Sequence, residues 1–231
     1  MIKDIELYNS KNEKITGVLR EKNTSGPLLI VDHGFKSSKD HPATNAITDK
    51  LYEMGHSTFS FNFSKSAQGF NLKEQVSDII DVIDSFKRYK KIMILAPSLG
   101  AVSAAVTATQ SPKINGVITI NGFFGSWQLG TVILKTYLLF RLTALLGGAN
   151  KKNWKYFKIY FKPERIACDT LVIHSKRDEV VFIAQSENFF KQLTGKKTFY
   201  VLENADHNLT KDEYRQEVTE VIDKWLKKVK I

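Results

Sequence analysis

The strongest constraint on the fold of this chain is an alternation of short apolar runs with amphipathic segments. The runs "LLIVD" (28–32) and "KIMILA" (91–96) are apolar over most of their length, as expected of strands that are buried on both faces. Segments with helix signals lie between them, at 43–54 and 72–86. Strands that alternate with helices form parallel βαβ units. The sequence therefore predicts an α/β fold with a doubly wound, mostly parallel sheet.

Turn and capping residues mark the remaining elements. Two short runs at 5–8 and 15–19 predict an N-terminal antiparallel hairpin. The pairs Asn71 with Glu74 and Thr210 with Glu213 each form a capping-box pattern, which predicts the start of a helix. Further strands are predicted at 57–63, 114–120, 170–175 and 197–202, and further helices at 99–109 and 182–193.

Length and composition narrow the class of protein. The 231 residues suit one α/β domain, so we predict a single domain over 1–231. Cys168 is the only cysteine, which excludes an internal disulfide and is typical of a reducing compartment. The opening residues "MIKDIELYNS" lack the apolar stretch of a secretory signal. Together these features predict a cytoplasmic protein.

Residues 121–163 interrupt the strand–helix rhythm and carry much of the positive charge. Seven lysines and arginines and no acidic residue lie there, in a chain whose net charge is +10. The apolar stretch at 129–149 is as long as a membrane span, but it contains Lys135 and Arg141. Charges at the centre of a span cost about 2.5–3.5 kcal/mol each. We therefore predict a helical cap inserted at one end of the sheet.

The predicted cap also holds ten aromatic residues, and its surface has two interpretations. In the first, its apolar side lines a substrate pocket through Phe123, Phe124 and Trp127, and its lysines face water. In the second, the basic and aromatic residues place the protein at the surface of a membrane with anionic lipid. Nucleic acid is not an expected partner, because the excess charge is confined to one segment.

Loops that follow predicted strands carry residues suited to nucleophilic catalysis. In "APSLG" (96–100), Ser98 stands between a strand and a helix of small residues, which is the setting of a nucleophile on a sharp turn. Asp178 follows the strand at 170–175, and His207 follows the last strand. Because the carboxyl ends of parallel strands meet at one edge of a sheet, we expect these side chains to come together there.

Four motifs occur in a fixed order along the chain: His33-Gly34-Phe35, Pro97-Ser98-Leu99-Gly100, Asp178 and His207. In this order they resemble the motifs of α/β-hydrolases, most of all small bacterial esterases of the cinnamoyl or feruloyl esterase and monoacylglycerol lipase type. The resemblance implies that Ser98 is the nucleophile, His207 the general base and Asp178 its carboxylate partner. It also implies an oxyanion hole made by the backbone N–H groups of Phe35 and Leu99.

The resemblance implies hydrolysis of small-molecule esters with hydrophobic acyl or aryl groups, through an acyl-enzyme and without a cofactor or a metal. Thioesterases, peptidases and acyltransferases use the same triad and stay open as alternatives. A hydrolase-like protein that only binds a ligand or a membrane also stays open, because Ala96 stands where the family has glycine. A purely structural role is the alternative at two of these positions, because Ser98 and Asp178 are both residue types that cap the helices that follow them.

Overall fold

The computed structural model of the chain describes residues 1–65, 69–125 and 151–229. Its strands are β1 (Ile2–Tyr8), β2 (Lys14–Arg20), β3 (Leu28–Val31), β4 (Ser57–Asn62), β5 (Ile92–Pro97), β6 (Ile114–Ile120), β7 (Asp169–Ser175) and β8 (Lys197–Leu202). They form one sheet of eight strands in the order β1-β2-β4-β3-β5-β6-β7-β8. The pairs β1–β2 and β2–β4 are antiparallel, and all other neighbours are parallel. The predicted sheet and its N-terminal hairpin are confirmed.

The described helices are α1 (Pro42–Glu53), α2 (Leu72–Ser85), α3 (Gly100–Gln110), α4 (Lys151–Tyr160), α5 (Ala184–Gln192) and α6 (Asp212–Lys228). They cover both faces of the sheet, so successive residues of a central strand are all buried. In β3, Leu29 belongs to the core cluster that includes Leu51 of α1 and Trp225 of α6. Ile30 belongs to the opposite cluster, which includes Ile79 of α2. This two-sided burial explains why the strand sequences are apolar without alternation.

The two predicted capping boxes have different outcomes. At α2, the side chain of Asn71 accepts a hydrogen bond from the Glu74 N–H at 3.3 Å, as predicted. At α6, the box between Thr210 and Glu213 is wrong, because the helix begins at Asp212 without a side-chain cap. The hydroxyl of Thr210 instead donates to the carboxylate of Asp206. That contact holds Thr210 in the loop before the helix.

The predicted cap at 121–163 is described only in part. Trp127, Lys135 and Arg141 lie outside the described residues. The described portion contains α4, followed by a short 3-10 helix (Pro163–Arg165), and α4 packs against α2 and α3. Among the described residues, no helix is long and apolar enough to cross a membrane.

Candidate active site

The turn between β5 and α3 holds Ser98 at the carboxyl edge of the sheet. Ser98 has a left-handed backbone conformation, with φ of 52°, which is uncommon and strained for a residue with a Cβ. Its N–H donates to the carbonyl of Ile120 at 2.9 Å. Its own carbonyl accepts from the N–H of Phe123 at 2.9 Å and of Ala101 at 3.1 Å. The N-cap of α3 is Leu99, so Ser98 stands before the cap, on a sharp strand-to-helix turn with the geometry of a nucleophile elbow.

Small residues on both sides of Ser98 allow this turn. Ala96 is fully buried in a core cluster that also contains Phe63 and Ala104, so its methyl group is accommodated in place of the family's glycine. On the other side, a Cβ at Gly100 would lie 2.2 Å from Oδ1 of Asp32. The close approach of Asp32 therefore restricts this position to glycine.

Asp32 itself is an unusual neighbour for the elbow. Its side chain is buried, and within the described residues neither carboxyl oxygen has a hydrogen-bond partner. Burial raises the pKa of Asp32 well above its usual range, since the charged form would be desolvated. Burial therefore favours the neutral form of the carboxyl group that lies against the first residue of α3.

Ser98, His207 and Asp178 meet at this edge in a hydrogen-bonded chain. His207 Nε2 lies 3.1 Å from Ser98 Oγ, and His207 Nδ1 lies 2.7 Å from Asp178 Oδ2. Because a carboxylate accepts, Nδ1–H donates to Asp178, and Nε2 is left to accept from the serine hydroxyl. The side chains of His207 and Asp178 are 8% and 0% exposed, so the contact between these two groups is shielded from water.

A second histidine supports the loop that carries Asp178. Asp178 Oδ1 accepts from the N–H groups of Val180 at 2.8 Å and Val181 at 2.7 Å. His174 is fully buried, and its Nε2–H donates to the Val181 carbonyl at 2.8 Å. Its Nδ1 is left to accept from the Ser186 hydroxyl at 2.7 Å. Burial lowers the pKa of His174, which favours this neutral form.

Asn121 is a positioning residue that the sequence interpretation missed. It follows β6 directly, with φ of 50°, and its Nδ2 donates to the carbonyl of His207 at 2.9 Å. Its Oδ1 accepts from the N–H of Ser175 at 2.8 Å. Asn121 thus joins the ends of β6 and β7 to the loop that carries the histidine. Its sequence signal is a polar residue at the carboxyl end of an apolar strand.

The backbone N–H groups of Phe35 and Leu99 are available beside Ser98. Neither donates a hydrogen bond to another group in the described parts of the chain. Gly34 lets the loop after β3 approach the serine, because a Cβ there would lie 3.2 Å from Ser98 Cβ. His33 has a structural position, with Nδ1–H donating to the Gly34 carbonyl at 3.0 Å.

A cavity of about 380 Å³ opens beside Ser98 and His207. Its lining combines apolar side chains with a few polar ones and includes Phe35, Lys36, Ile47, Ile120 and Leu209. This size is typical of sites for small organic ligands. A second, smaller apolar cavity, of about 30 Å³, is lined by Leu99, Phe123, Trp154 and Phe157, among others.

The three residues predicted to contact substrate differ in their positions. Phe123 is half-buried and lines the smaller cavity next to Leu99. Phe124 is buried and stacks on Phe189 of α5, with ring centroids 4.0 Å apart, so its ring belongs to the core instead of the cavity lining. Trp127 lies outside the described residues.

Among the described residues, neither a second nucleophile nor a metal site has an arrangement comparable to that of Ser98, His207 and Asp178. Burial raises the pKa of the Cys168 thiol to about 11, which disfavours the reactive thiolate. In the ranges 1–65, 69–125 and 151–229, no three His, Cys, Asp or Glu side chains cluster as ligands around a metal ion would.

The strand order and the elbow are those of an α/β-hydrolase, and solved structures share this fold. They include the dienelactone hydrolase of Anabaena variabilis (16% identity, 98% of this chain, 97% of that chain, TM-score 0.75). The esterase domain of a Rhodothermus marinus protein is similar (20% identity, 99% of this chain, 98% of that chain, TM-score 0.76). Est1E of Butyrivibrio proteoclasticus is also similar (18% identity, 96% of this chain, 98% of that chain, TM-score 0.73), and it has been solved with ferulic acid bound.

At these identities the structural likeness shows the fold alone. The sequence matches the prolyl oligopeptidase family over residues 51–230. Because this match covers most of the chain, the chain belongs to that family. A comparison with curated proteins finds no match.

Proposed function

We propose that the chain is a serine carboxylesterase that hydrolyses esters with hydrophobic acyl or aryl groups through an acyl-enzyme on Ser98. The observation that carries this proposal is the hydrogen-bonded chain from Ser98 through His207 to Asp178, beside a cavity of about 380 Å³. Among the described residues, no other nucleophile has this combination of a base, an orienting carboxylate and a cavity.

The geometry supports a two-step mechanism. Ser98 Oγ attacks the ester carbonyl while its proton passes to His207 Nε2, and the buried Asp178 stabilises the imidazolium that results. The N–H groups of Leu99 and Phe35 donate to the oxyanion, and loss of one such donor lowers turnover by about 10²–10³. His207 then protonates the leaving alcohol. In the second step it accepts a proton from the water that hydrolyses the acyl-enzyme.

The lining of the two cavities supports a hydrophobic substrate. Ile47, Leu95, Ile120 and Leu209 contribute apolar surface to the larger cavity, and aromatic side chains surround the smaller one. The ferulic acid bound to Est1E is an aromatic carboxylic acid, which makes aryl esters a reasonable first substrate class.

Peptide hydrolysis is the second candidate, and the match to the prolyl oligopeptidase family favours it. An ester and an amide share the same acyl-enzyme, so the difference lies in the leaving group that His207 must protonate. Thioester hydrolysis and acyl transfer to an alcohol use the same intermediate. Matched nitrophenyl ester, nitroanilide and thioester substrates with one common acyl group would separate hydrolysis of these bonds. A test of transfer would add an alcohol acceptor.

A fluorophosphonate probe tests whether Ser98 is a nucleophile at all. We expect the wild-type protein to be labelled covalently and the Ser98→Ala variant to remain unlabelled. Ser85→Ala is the matched control, because Ser85 is exposed on α2 and its hydroxyl donates only to the Asp81 carbonyl. Labelling of the wild type that does not exceed that of Ser98→Ala would overturn the enzyme proposal. It would leave the ligand-binding alternative.

A further inference from the structure

We propose that the outer face of α4 binds the surface of an anionic lipid bilayer. This outer face is formed by Lys152, Lys155, Lys158 and Ile159. The three lysines are exposed, and Ile159 is 50% exposed. At 100° per residue, these four side chains fall on one side of the helix. The lysines attract anionic headgroups, and the exposed aliphatic side chain beside them adds apolar surface that the headgroup region can bury.

The opposite face of α4 is fixed to the rest of the protein, so the lysines have a defined orientation. Asn153 is buried, and its side chain accepts from the Leu72 N–H at 3.1 Å and donates to the Phe70 carbonyl at 2.8 Å. Phe157 packs against the core cluster that contains Leu72 of α2 and Val102 of α3. The helix therefore displays the face that carries the lysines outward.

The charge of the outer face is not neutralised by the described residues. Some lysines elsewhere on the surface form ion pairs with acidic side chains, among them Lys39, Lys113, Lys176 and Lys227. In the described parts of the chain, Lys152, Lys155 and Lys158 form no such pair. The segment 121–163 contains no acidic residue either. Three unpaired cations on one helix face are complementary to anionic headgroups.

The exposed apolar atoms favour lipid over nucleic acid. Ile159 and the adjacent Tyr160, which is 39% exposed, gain from partial burial among acyl chains and headgroups. A phosphate backbone offers an aliphatic side chain no comparable burial. Docking here would also bring the membrane close to the site, because Trp154 and Phe157 of the same helix share the smaller cavity with Leu99.

Vesicle co-sedimentation with the Ser98→Ala protein tests the proposal independently of catalysis. We expect binding to phosphatidylcholine vesicles that contain phosphatidylglycerol and little binding to pure phosphatidylcholine at low salt. The triple variant K152Q/K155Q/K158Q should bind on the order of a hundredfold more weakly, since each lysine near an anionic surface contributes roughly fivefold. High salt should weaken wild-type binding, because screening shortens the reach of these charges.

Two controls separate a defined face from general charge. The variant K191Q/K224Q/K228Q removes the same charge from exposed positions on α5 and α6, and it should retain most of the binding. Ile159→Ser should weaken binding, whereas Met54→Ser, at a residue 43% exposed on another surface, should not. Equal loss in both triple variants would overturn the proposal. The proposal would also be overturned if the protein bound an immobilised single-stranded oligonucleotide and showed no preference for anionic over neutral vesicles.

Discussion

Gly100→Ala probes the contact that restricts the elbow. The new Cβ would lie 2.2 Å from Asp32 Oδ1 and 2.9 Å from its Cγ, whereas ordinary contacts begin near 3.4 Å. Asp32 is 1% exposed and Gly100 is buried, so neither group has open space to move into. Overpacking of this kind costs about 1–3 kcal/mol. The better helix propensity of alanine offsets at most about 1 kcal/mol.

We therefore expect Gly100→Ala to lower the free energy of unfolding by about 1–2 kcal/mol in urea titrations. It should also slow fluorophosphonate labelling by about tenfold to a hundredfold, because a shift of α3 displaces the Leu99 N–H. Gly26→Ala is the matched control, since a Cβ there would meet its nearest heavy atom, Asn23 Oδ1, at 3.6 Å. It should change neither quantity appreciably.

A double-mutant cycle assigns the effect to Asp32. Replacing Asp32 with Ala removes the atoms that the new methyl group would meet, so the Asp32→Ala/Gly100→Ala protein should be destabilised by less than the sum of the single variants. The reasoning would be refuted by an unchanged unfolding midpoint and labelling rate in Gly100→Ala. Strict additivity in the cycle would refute the assignment to Asp32.

Three further substitutions test the surroundings of the triad. Ala96→Gly should lower the free energy of unfolding in urea by about 1–2 kcal/mol, because it removes a buried methyl group and increases the entropy of the unfolded chain. It should not speed fluorophosphonate labelling. Faster labelling would mean that Ala96 impairs the elbow. Asn121→Ala leaves the N–H of Ser175 and the carbonyl of His207 unpaired. We therefore expect the free energy of unfolding to fall by about 1–3 kcal/mol and labelling to be slower. An unchanged labelling rate would contradict the positioning role of Asn121. Burial lowers the pKa of His174 in the folded protein. Below about pH 6.5 only the unfolded state takes up this proton, so the stability of the wild type should fall as the pH drops. The decline should level off below the pKa of His174 in the folded state. The His174→Gln protein should show a shallower decline by urea titration across this range, and parallel pH curves for the two proteins would contradict the assignment.

Most of the fold could be predicted because both faces of the central strands are buried. In β3 and β5, covering helices on each face require apolar residues at successive positions, and that signal is visible without any partner contact. The start of α6 was predicted incorrectly because capping patterns are local. Thr210 fits the pattern, but Asp206, in the preceding loop, binds its hydroxyl.

The candidate triad could be predicted from chain order, whereas its support could not. Ser98, Asp178 and His207 each follow a strand, and the sheet topology brings such positions to one edge. Asn121 acts through the carbonyl of His207, in a loop 86 residues away whose position depends on the whole sheet. His174 acts through the Val181 carbonyl, in the loop after its own strand, and this contact depends on the path of that loop. Phe124 has the residue type of a pocket wall, but Phe189 of α5 offers it a stacking partner in the core.

The backbone strain in the described residues is concentrated around the candidate site. Five non-glycine residues there have positive φ, and all but Asn12 lie in loops at this edge of the sheet: Lys36, Ser98, Asn121 and Leu209. Residues held in such conformations cost of order 1–3 kcal/mol each and persist only where the surrounding structure enforces them. Here the enforcing contacts are the hydrogen bonds that position Ser98 and the loop of His207. The stability that the two-sided core provides is thus partly spent on holding the serine and histidine loops in reach of each other. This distribution of strain supports the proposal that these loops form a preorganised site.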